Sequence, residues 1–212
     1  MRICLKKLEF MNGIETYDEE CSTNIRKYKT KNPLKKYVIA NFLDEIITKL
    51  RECCAKSVLD VGSGEGIASE MIRKNVTENI DMLDVSIDNL KIAKNYNIKS
   101  NIICGSIYNL PFHDNAYDTI MCLEVLEHLE EPEKALKEIK RVSRSYAIIS
   151  VPYTLIFRIG NLFSLKNLSN FGEAPDHKIS FNKGTFERML QMEFEHVEVT
   201  KKHFWLIGKV KI

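Results

Sequence analysis

The stretch that decides the fold is VLDVGSGEG at residues 58–66, an apolar run that ends in three closely spaced glycines. Ile67, Met71 and Ile72 follow with helical spacing, so the segment predicts a strand, a tight turn and a helix. Glycines suit a turn whose backbone a ligand approaches closely. In an open α/β sheet this turn lies at the carboxyl ends of the strands, where ligands bind. The alternative is a strand-to-helix turn that binds nothing.

Apolar runs of four to six residues alternate with helical patterns from Ser57 onward, which is typical of a parallel sheet. The predicted strands are residues 58–61, 80–83, 101–104, 117–123 and 146–151, and the predicted helices lie near 65–74, 87–95, 131–142 and 183–192. An earlier helix begins at Asn32-Pro33, and two strand-like runs at 194–201 and 204–212 predict an antiparallel pair. Right-handed crossovers then give a doubly wound sheet.

The composition fits one domain of 212 residues, and 31 Lys and Arg against 29 Asp and Glu give no global field that favours nucleic acid. We expect residues 1–31 to form an N-terminal arm or cap, and residues 32–212 to form the domain, with a lid insertion at about 153–180. The amino terminus has no signal-peptide pattern, and no apolar run reaches the length of a membrane span. The six cysteines form no C-x-x-C pair and indicate a cytoplasmic protein, and the histidines predict no metal site.

Asp84 is the second element of the predicted site, because it ends the next strand 18 residues after Gly66. At about this offset from a glycine loop, a carboxylate accepts hydrogen bonds from both hydroxyls of a ribose. The alternative is that Asp84 begins a turn and Ser86 caps the helix that follows.

The glycine spacing distinguishes between nucleoside cofactors. A dinucleotide loop would have a glycine at position 67, where this chain has Ile67, whereas Gly66 fits G-x-G-x-G. With Asp60 two residues before the first glycine, the loop resembles motif one of the class I S-adenosylmethionine-dependent methyltransferases. The resemblance covers about 58–152. It includes DVS at 84–86, LPF at 110–112, YD at 117–118 and EVLEHL at 124–129. The tail resembles the type 11, quinone-biosynthesis-like branch.

The resemblance implies a Rossmann-like, mainly parallel seven-stranded sheet with an antiparallel C-terminal strand and helices on both faces. It also implies S-adenosylmethionine as cofactor and S-adenosylhomocysteine as product. The implied cofactor-binding residues are Asp60, Gly62, Ser63, Gly64, Asp84, Val85, Ser106, Ile107, Cys122 and Leu123. Three positions depart from the family pattern. Ser106 replaces an acid, residues 143–146 replace Pro-Gly-Gly, and Glu193 replaces a glycine.

The predicted activity is methyl transfer to a small-molecule acceptor, with hydrophobic acceptors among the candidates. His128 and His177 are candidate general bases, and Tyr153 and Arg158 candidate substrate contacts. A structural role for His128 is the alternative. The apolar stretch 155–171 could cover a substrate or contact a membrane surface, or it could be ordinary core.

Other functions stay open at this stage. The chain could be a non-catalytic module that binds S-adenosylmethionine or a partner, an RNA or protein methyltransferase, or an NAD(P)-linked oxidoreductase. Basic residues and two tyrosines at 26–37 would suit RNA, although the overall charge balance argues against nucleic acid. The sequence does not determine the oligomeric state.

Overall fold

A computed structural model describes residue 28 and residues 30–95, 100–153 and 178–212. The helices are α1 (Pro33–Glu52), α2 (Ile67–Asn75), α3 (Ile87–Asn95), α4 (Pro132–Val142) and α5 (Lys183–Gln191). The strands are β1 (Val58–Val61), β2 (Ile80–Asp84), β3 (Ile102–Cys104), β4 (Tyr117–Leu123), β5 (Ser143–Pro152), β6 (His196–Lys202) and β7 (Trp205–Lys211). A 3-10 helix at Leu126–His128 follows β4. Most of the predicted arm and lid lies outside the described residues.

The strands form one seven-stranded sheet in the order β3-β2-β1-β4-β5-β7-β6. Strand β1 pairs in parallel with β2 on one side and with β4 on the other. Strand β7 runs antiparallel to both β5 and β6. The predicted sheet, with its antiparallel C-terminal strand, is therefore confirmed. Because the strand order reverses between β1 and β4, a crevice forms there at the carboxyl ends of the strands.

Apolar side chains cover both faces of the sheet. Leu59 and Val61 of β1 belong to the core cluster that includes α4 and α5, whereas Val58 belongs to the cluster that includes α1 and α2. Asp60 alternates with Leu59 and Val61, and therefore points to the α1 and α2 face. Burial of each large apolar side chain contributes roughly 1.5 to 3 kcal/mol, so these two clusters fix the strand that carries the glycine loop.

Helix α1 begins where the sequence predicts. The Asn32 side chain accepts hydrogen bonds from the amides of Leu34 and Lys35, and Pro33 occupies the first helical position, where it needs no amide partner. Phe42 stacks on Trp205 with ring centroids 4.5 Å apart. Leu34, in the first turn of this helix, is 69% exposed.

Strand β5 begins directly after α4, where the family pattern has Pro-Gly-Gly. We expected a strand only from Tyr146, but the structure has one from Ser143. The Ser143 hydroxyl donates to the Tyr146 carbonyl at 2.5 Å, and Arg144 forms an ion pair with Asp118 at 2.6 Å. Contacts of the Ser143 and Arg144 side chains thus take the place of the Pro-Gly-Gly turn in the family pattern.

Within the described ranges, the helices all fall short of the length and apolarity that crossing a bilayer requires.

Candidate functional site

The loop after β1 bends through three glycines in the left-handed region, with φ of +76° at Gly62, +55° at Gly64 and +78° at Gly66. The amides of Gly62 and Ser63 both donate to the Leu83 carbonyl, at 2.7 and 3.1 Å. These conformations are strained for residues with a Cβ. The loop is thereby fixed against the end of β2.

Gly62 is also the point of closest approach between this loop and the chain after β4. A Cβ atom at position 62 would lie 2.4 Å from Val125 Cγ2. The glycine therefore allows the ends of β1 and β4 to come together at the crevice.

Asp84 connects the loop to the end of β2. One carboxylate oxygen accepts from the Gly64 amide at 2.8 Å, and the other accepts from the Ser86 amide at 2.8 Å. Each oxygen keeps a further lone pair. Ser86 caps α3 through a hydrogen bond from the Asn89 amide. Asp84 therefore forms the turn, as the alternative predicts, and each of its carboxylate oxygens can still accept a hydrogen bond from a ligand.

Asp60 is an acid in the core below the loop. Its carboxylate is 2% exposed and accepts a hydrogen bond from the Ser69 hydroxyl at 2.5 Å. The pKa of Asp60 is raised from 3.8 to about 7, mainly by burial; the Ser69 hydrogen bond acts in the opposite direction, and the nearby Asp84 contributes a smaller rise. No basic group among the described residues is a cause of this shift.

A cavity of about 80 Å³ opens between the loop and the end of β4. Its lining residues are Tyr28, Asp60, Gly62, Ser63, Gly64, Glu65, Ile67, Ala68, Leu123 and Glu124. Two buried polar atoms of the loop, Ser63 Oγ and Glu65 Oε1, have no hydrogen-bond partner among the described residues. Buried polar groups are normally satisfied, so these two atoms fit a polar ligand in the cavity.

Sequence reasoning missed three polar residues of this lining. Tyr28 comes from the predicted arm, and no sequence signal places it against the loop. Glu65 lies between Gly64 and Gly66, so its place in the sequence already indicated that it is close to the site. Glu124 follows β4 with φ +55°, and its carboxylate accepts from Trp205 Nε1 at 2.7 Å. Backbone strain of this kind often marks a functional position.

The remaining predicted cofactor residues are not part of the cavity lining. Val85 is 75% exposed next to Asp84, and Ser106 is exposed after β3. Ile107 is largely buried, and Cys122 is fully buried in the core cluster with α4 and α5. Burial raises the pKa of the Cys122 thiol well above its usual value.

Of the predicted catalytic and substrate residues, His128 and Tyr153 lie among the described residues. His128 is half-buried on the 3-10 helix after β4. Tyr153 is half-buried after β5, and Lys201 Nζ lies 4.5 Å from the centre of its ring. His177 and Arg158 lie outside the described residues. In the described ranges, no group of three His, Cys, Asp or Glu side chains is arranged to hold a metal ion.

Comparison with known proteins gives consistent matches. A family described as a methyltransferase domain matches residues 59–151. An uncharacterised protein of Methanocaldococcus jannaschii is 33% identical over 116 residues, which are 51% of this chain and 48% of that protein. The ubiquinone biosynthesis O-methyltransferase of Shewanella halifaxensis is 30% identical over 111 residues, 50% of this chain and 44% of the relative. The chain thus spans about half the length of the curated relatives it matches.

A solved structure shows the same fold over nearly the whole chain. The magnesium protoporphyrin IX methyltransferase of Synechocystis, crystallised with bound S-adenosylhomocysteine, has a TM-score of 0.65 and 16% identity. The similarity covers 92% of this chain and 97% of that one. At this identity, the likeness concerns the fold alone. Residues 59–151 are thus similar to the methyltransferase-domain family, and the fold agrees with that of a solved methyltransferase.

Proposed function

We propose that this protein transfers a methyl group from S-adenosylmethionine to a small-molecule acceptor. The observation that carries the proposal is the pairing of the glycine loop with Asp84 beside a cavity that contains two unsatisfied polar atoms, Ser63 Oγ and Glu65 Oε1. This arrangement fits a nucleoside with a polar, charged extension better than it fits an empty turn.

The described residues offer separate places for two parts of the cofactor, its amino-acid end and its nucleoside. A cavity of about 80 Å³ holds only part of such a molecule, since ligand pockets usually measure roughly 300 to 1,000 Å³. We propose that Gly62, Ser63 and Gly64 line its amino-acid end. Asp84 then receives the ribose on the open rim, and Val85, Ser106 and Ile107 flank the adenine.

The bound cofactor would supply an electrophilic methyl group on a positively charged sulfur. The residues of the chain then have to orient the two reactants and exclude water. Good orientation alone corresponds to roughly 7 to 11 kcal/mol of the barrier. An acceptor that carries a proton also needs a base, and we propose His128 and His177 for that role.

We place the acceptor between the two ends of the predicted lid. The Glu127 carbonyl accepts hydrogen bonds from the amides of Lys178 and Ile179, at 2.8 and 3.2 Å. The last residues of the predicted lid therefore lie against the 3-10 helix that carries His128. Tyr153, at the other end of the lid, lies on the same rim of the sheet, which supports its proposed contact with the substrate, and Arg158 would extend that contact.

The similarity to a ubiquinone biosynthesis O-methyltransferase supports a small, apolar acceptor. We extend the proposal to a quinol-like compound, to contact of residues 155–171 with a membrane surface, and to a cytoplasmic location. The described cysteines Cys53, Cys54, Cys104 and Cys122 are free thiols, which fits a reducing compartment.

The test is calorimetry with S-adenosylmethionine, S-adenosylhomocysteine and NAD on the whole chain. We expect Asp84→Ala to weaken S-adenosylmethionine by roughly 1.5 to 3 kcal/mol, the range for hydrogen bonds to a charged group. Asp88→Ala is the matched control, because Asp88 is an exposed acid in the first turn of α3. Equal binding by both variants would contradict the ribose assignment, and binding of NAD alone would indicate an oxidoreductase.

A second measurement separates an enzyme from a binding module. A labelled-methyl screen across phenols, quinol precursors, amines, short peptides and RNA would identify the acceptor class. Binding without transfer to any of them would favour the non-catalytic alternative.

A further inference from the structure

Glu65 is a buried acid beside the glycine loop, and the described residues leave one of its carboxylate oxygens unsatisfied. Its side chain is 3% exposed, it lines the cavity, and Oε1 has no hydrogen-bond partner among the described residues. Burial of a polar group without a partner destabilises the fold, and burial of an unpaired charge destabilises it more.

The surroundings of Glu65 are negative. Asp60 and Glu124 line the same cavity, and its described lining contains no lysine or arginine. The phenol of Tyr28 responds to this field, because burial raises its pKa, and Glu124, Asp60 and Glu65 raise it further. The cavity is therefore electrostatically complementary to a cation.

S-adenosylmethionine carries two cationic groups, and only one of them can satisfy Glu65 Oε1. The α-ammonium has three N–H donors, whereas the sulfonium has no hydrogen on a polar atom. What Oε1 lacks is a donor. On the proposed function, which this step presupposes, we infer that the Glu65 carboxylate binds the α-ammonium of the cofactor and thereby anchors its amino-acid end.

The test measures binding of three compounds by calorimetry: S-adenosylmethionine, S-adenosylhomocysteine, and a desamino analogue of the latter with hydrogen in place of the α-ammonium. Glu65→Gln should weaken the first two by the same factor, about ten- to hundredfold, and leave the analogue unchanged. Glu78→Gln removes an exposed charge just after α2 and should leave all three affinities unchanged.

Stability without ligand gives an independent readout. Removal of an uncompensated buried charge should raise the melting temperature of the apo protein in Glu65→Gln. A merely structural hydrogen bond would lower it.

Several outcomes would overturn the inference. Weakening of S-adenosylmethionine alone would assign Glu65 to the sulfonium, and equal weakening of all three compounds would indicate a general distortion of the loop. Unchanged affinities, a lower melting temperature or failure of Glu65→Gln to fold would also exclude the role. If the wild-type protein binds none of the compounds, the proposed function itself fails, which is a different result.

Discussion

Two groups of charges lie on the α1 and α2 side of the sheet, and they differ in how they are neutralised. Lys49 is 3% exposed, and its ammonium lies 3.7 Å from Glu45 and 3.3 Å from Glu198. Lys209 adds contacts to Glu198 at 3.0 Å and to Glu52 at 2.8 Å. Around the glycine loop, by contrast, Asp60 and Glu65 are buried without a basic partner among the described residues.

The difference separates charges that serve the fold from charges that serve a ligand. Buried charges are tolerated when paired, and an unpaired one destabilises the protein unless something else binds it. Removal of a charge should therefore have opposite effects in the two regions: it should destabilise the network of Lys49 and stabilise the apo protein at the loop.

The largest expected effect is at Asp60. Its pKa of about 7 exceeds the ordinary 3.8, so the folded state binds this proton more tightly than the unfolded state does. This proton stabilises the folded state below about pH 4, and the stabilisation is lost as pH rises through about 7. The total loss in the free energy of unfolding is about 4 kcal/mol. In urea denaturation of the apo protein, Asp60→Asn should raise the free energy of unfolding at pH 8 and flatten its pH dependence.

The exposed Asp88→Asn change provides the control for Asp60 and should leave the pH dependence as it is. A less stable Asp60→Asn protein at pH 8 would mean that the charged form has a partner, and the contrast between the two regions would disappear.

Next in size is the effect at Gly62. Alanine at this position has a left-handed conformation, which costs roughly 1 to 2 kcal/mol, and crowds Val125. We expect Gly62→Ala to reduce the free energy of unfolding by about 3 kcal/mol. In a Val125→Ala background, which removes the crowding, Gly62→Ala should cost only the roughly 1 to 2 kcal/mol of the left-handed conformation.

Gly184→Ala is the matched glycine control, because Gly184 lies in α5 and a Cβ there meets nothing closer than Asn182 Oδ1 at 3.5 Å. It should be neutral or slightly stabilising. A Gly62→Ala protein of wild-type stability would show that the loop is not held as tightly as its hydrogen bonds indicate.

The smallest expected effect is in the neutralised region. Lys49→Met keeps the apolar stem but leaves Glu45 and Glu198 without this cation, so we expect a loss of about 1 to 2 kcal/mol at pH 7. Lys209 first, and then Lys49, hold the pKa of Glu198 below its usual value. The loss should therefore shrink as pH falls below about 4.5 and through the lowered pKa of Glu198.

Lys91→Met serves as control for Lys49, because the exposed pair of Lys91 with Asp88 should contribute little. Chemical denaturation at pH 7 and pH 4 measures both variants. A more stable Lys49→Met protein would show that apolar contact at this position outweighs the ion pairs.

The sheet was largely predictable from the sequence, because its strands are apolar runs and its helices are periodic. The bounds of β1, β4 and α3 coincide with the prediction. The start of β5 was not predictable, since Ser143 and Arg144 resemble a polar turn, and their partners Tyr146 and Asp118 become apparent only in the folded chain.

The candidate site was predictable along the glycine loop and at the end of β4. Asp60, Gly62, Ser63, Gly64 and Leu123 all line the cavity, as the motif implies. Tyr28 and Glu124 reach it through tertiary contacts that a local pattern does not contain. The contacts of His177 and Arg158 remain predictions.

The position of β7 has a consequence for the order of assembly on the ribosome. This strand, Trp205–Lys211, fills the gap between β5 and β6, although it follows both in the chain. Until it is synthesised, the hydrogen-bonding edge of β5 is bare and β6 has no neighbour to join. The indole of Trp205, which begins β7, also donates a hydrogen bond to the Glu124 carboxylate at the cavity. Completion of the sheet and formation of the Trp205–Glu124 hydrogen bond at the cavity therefore both require β7.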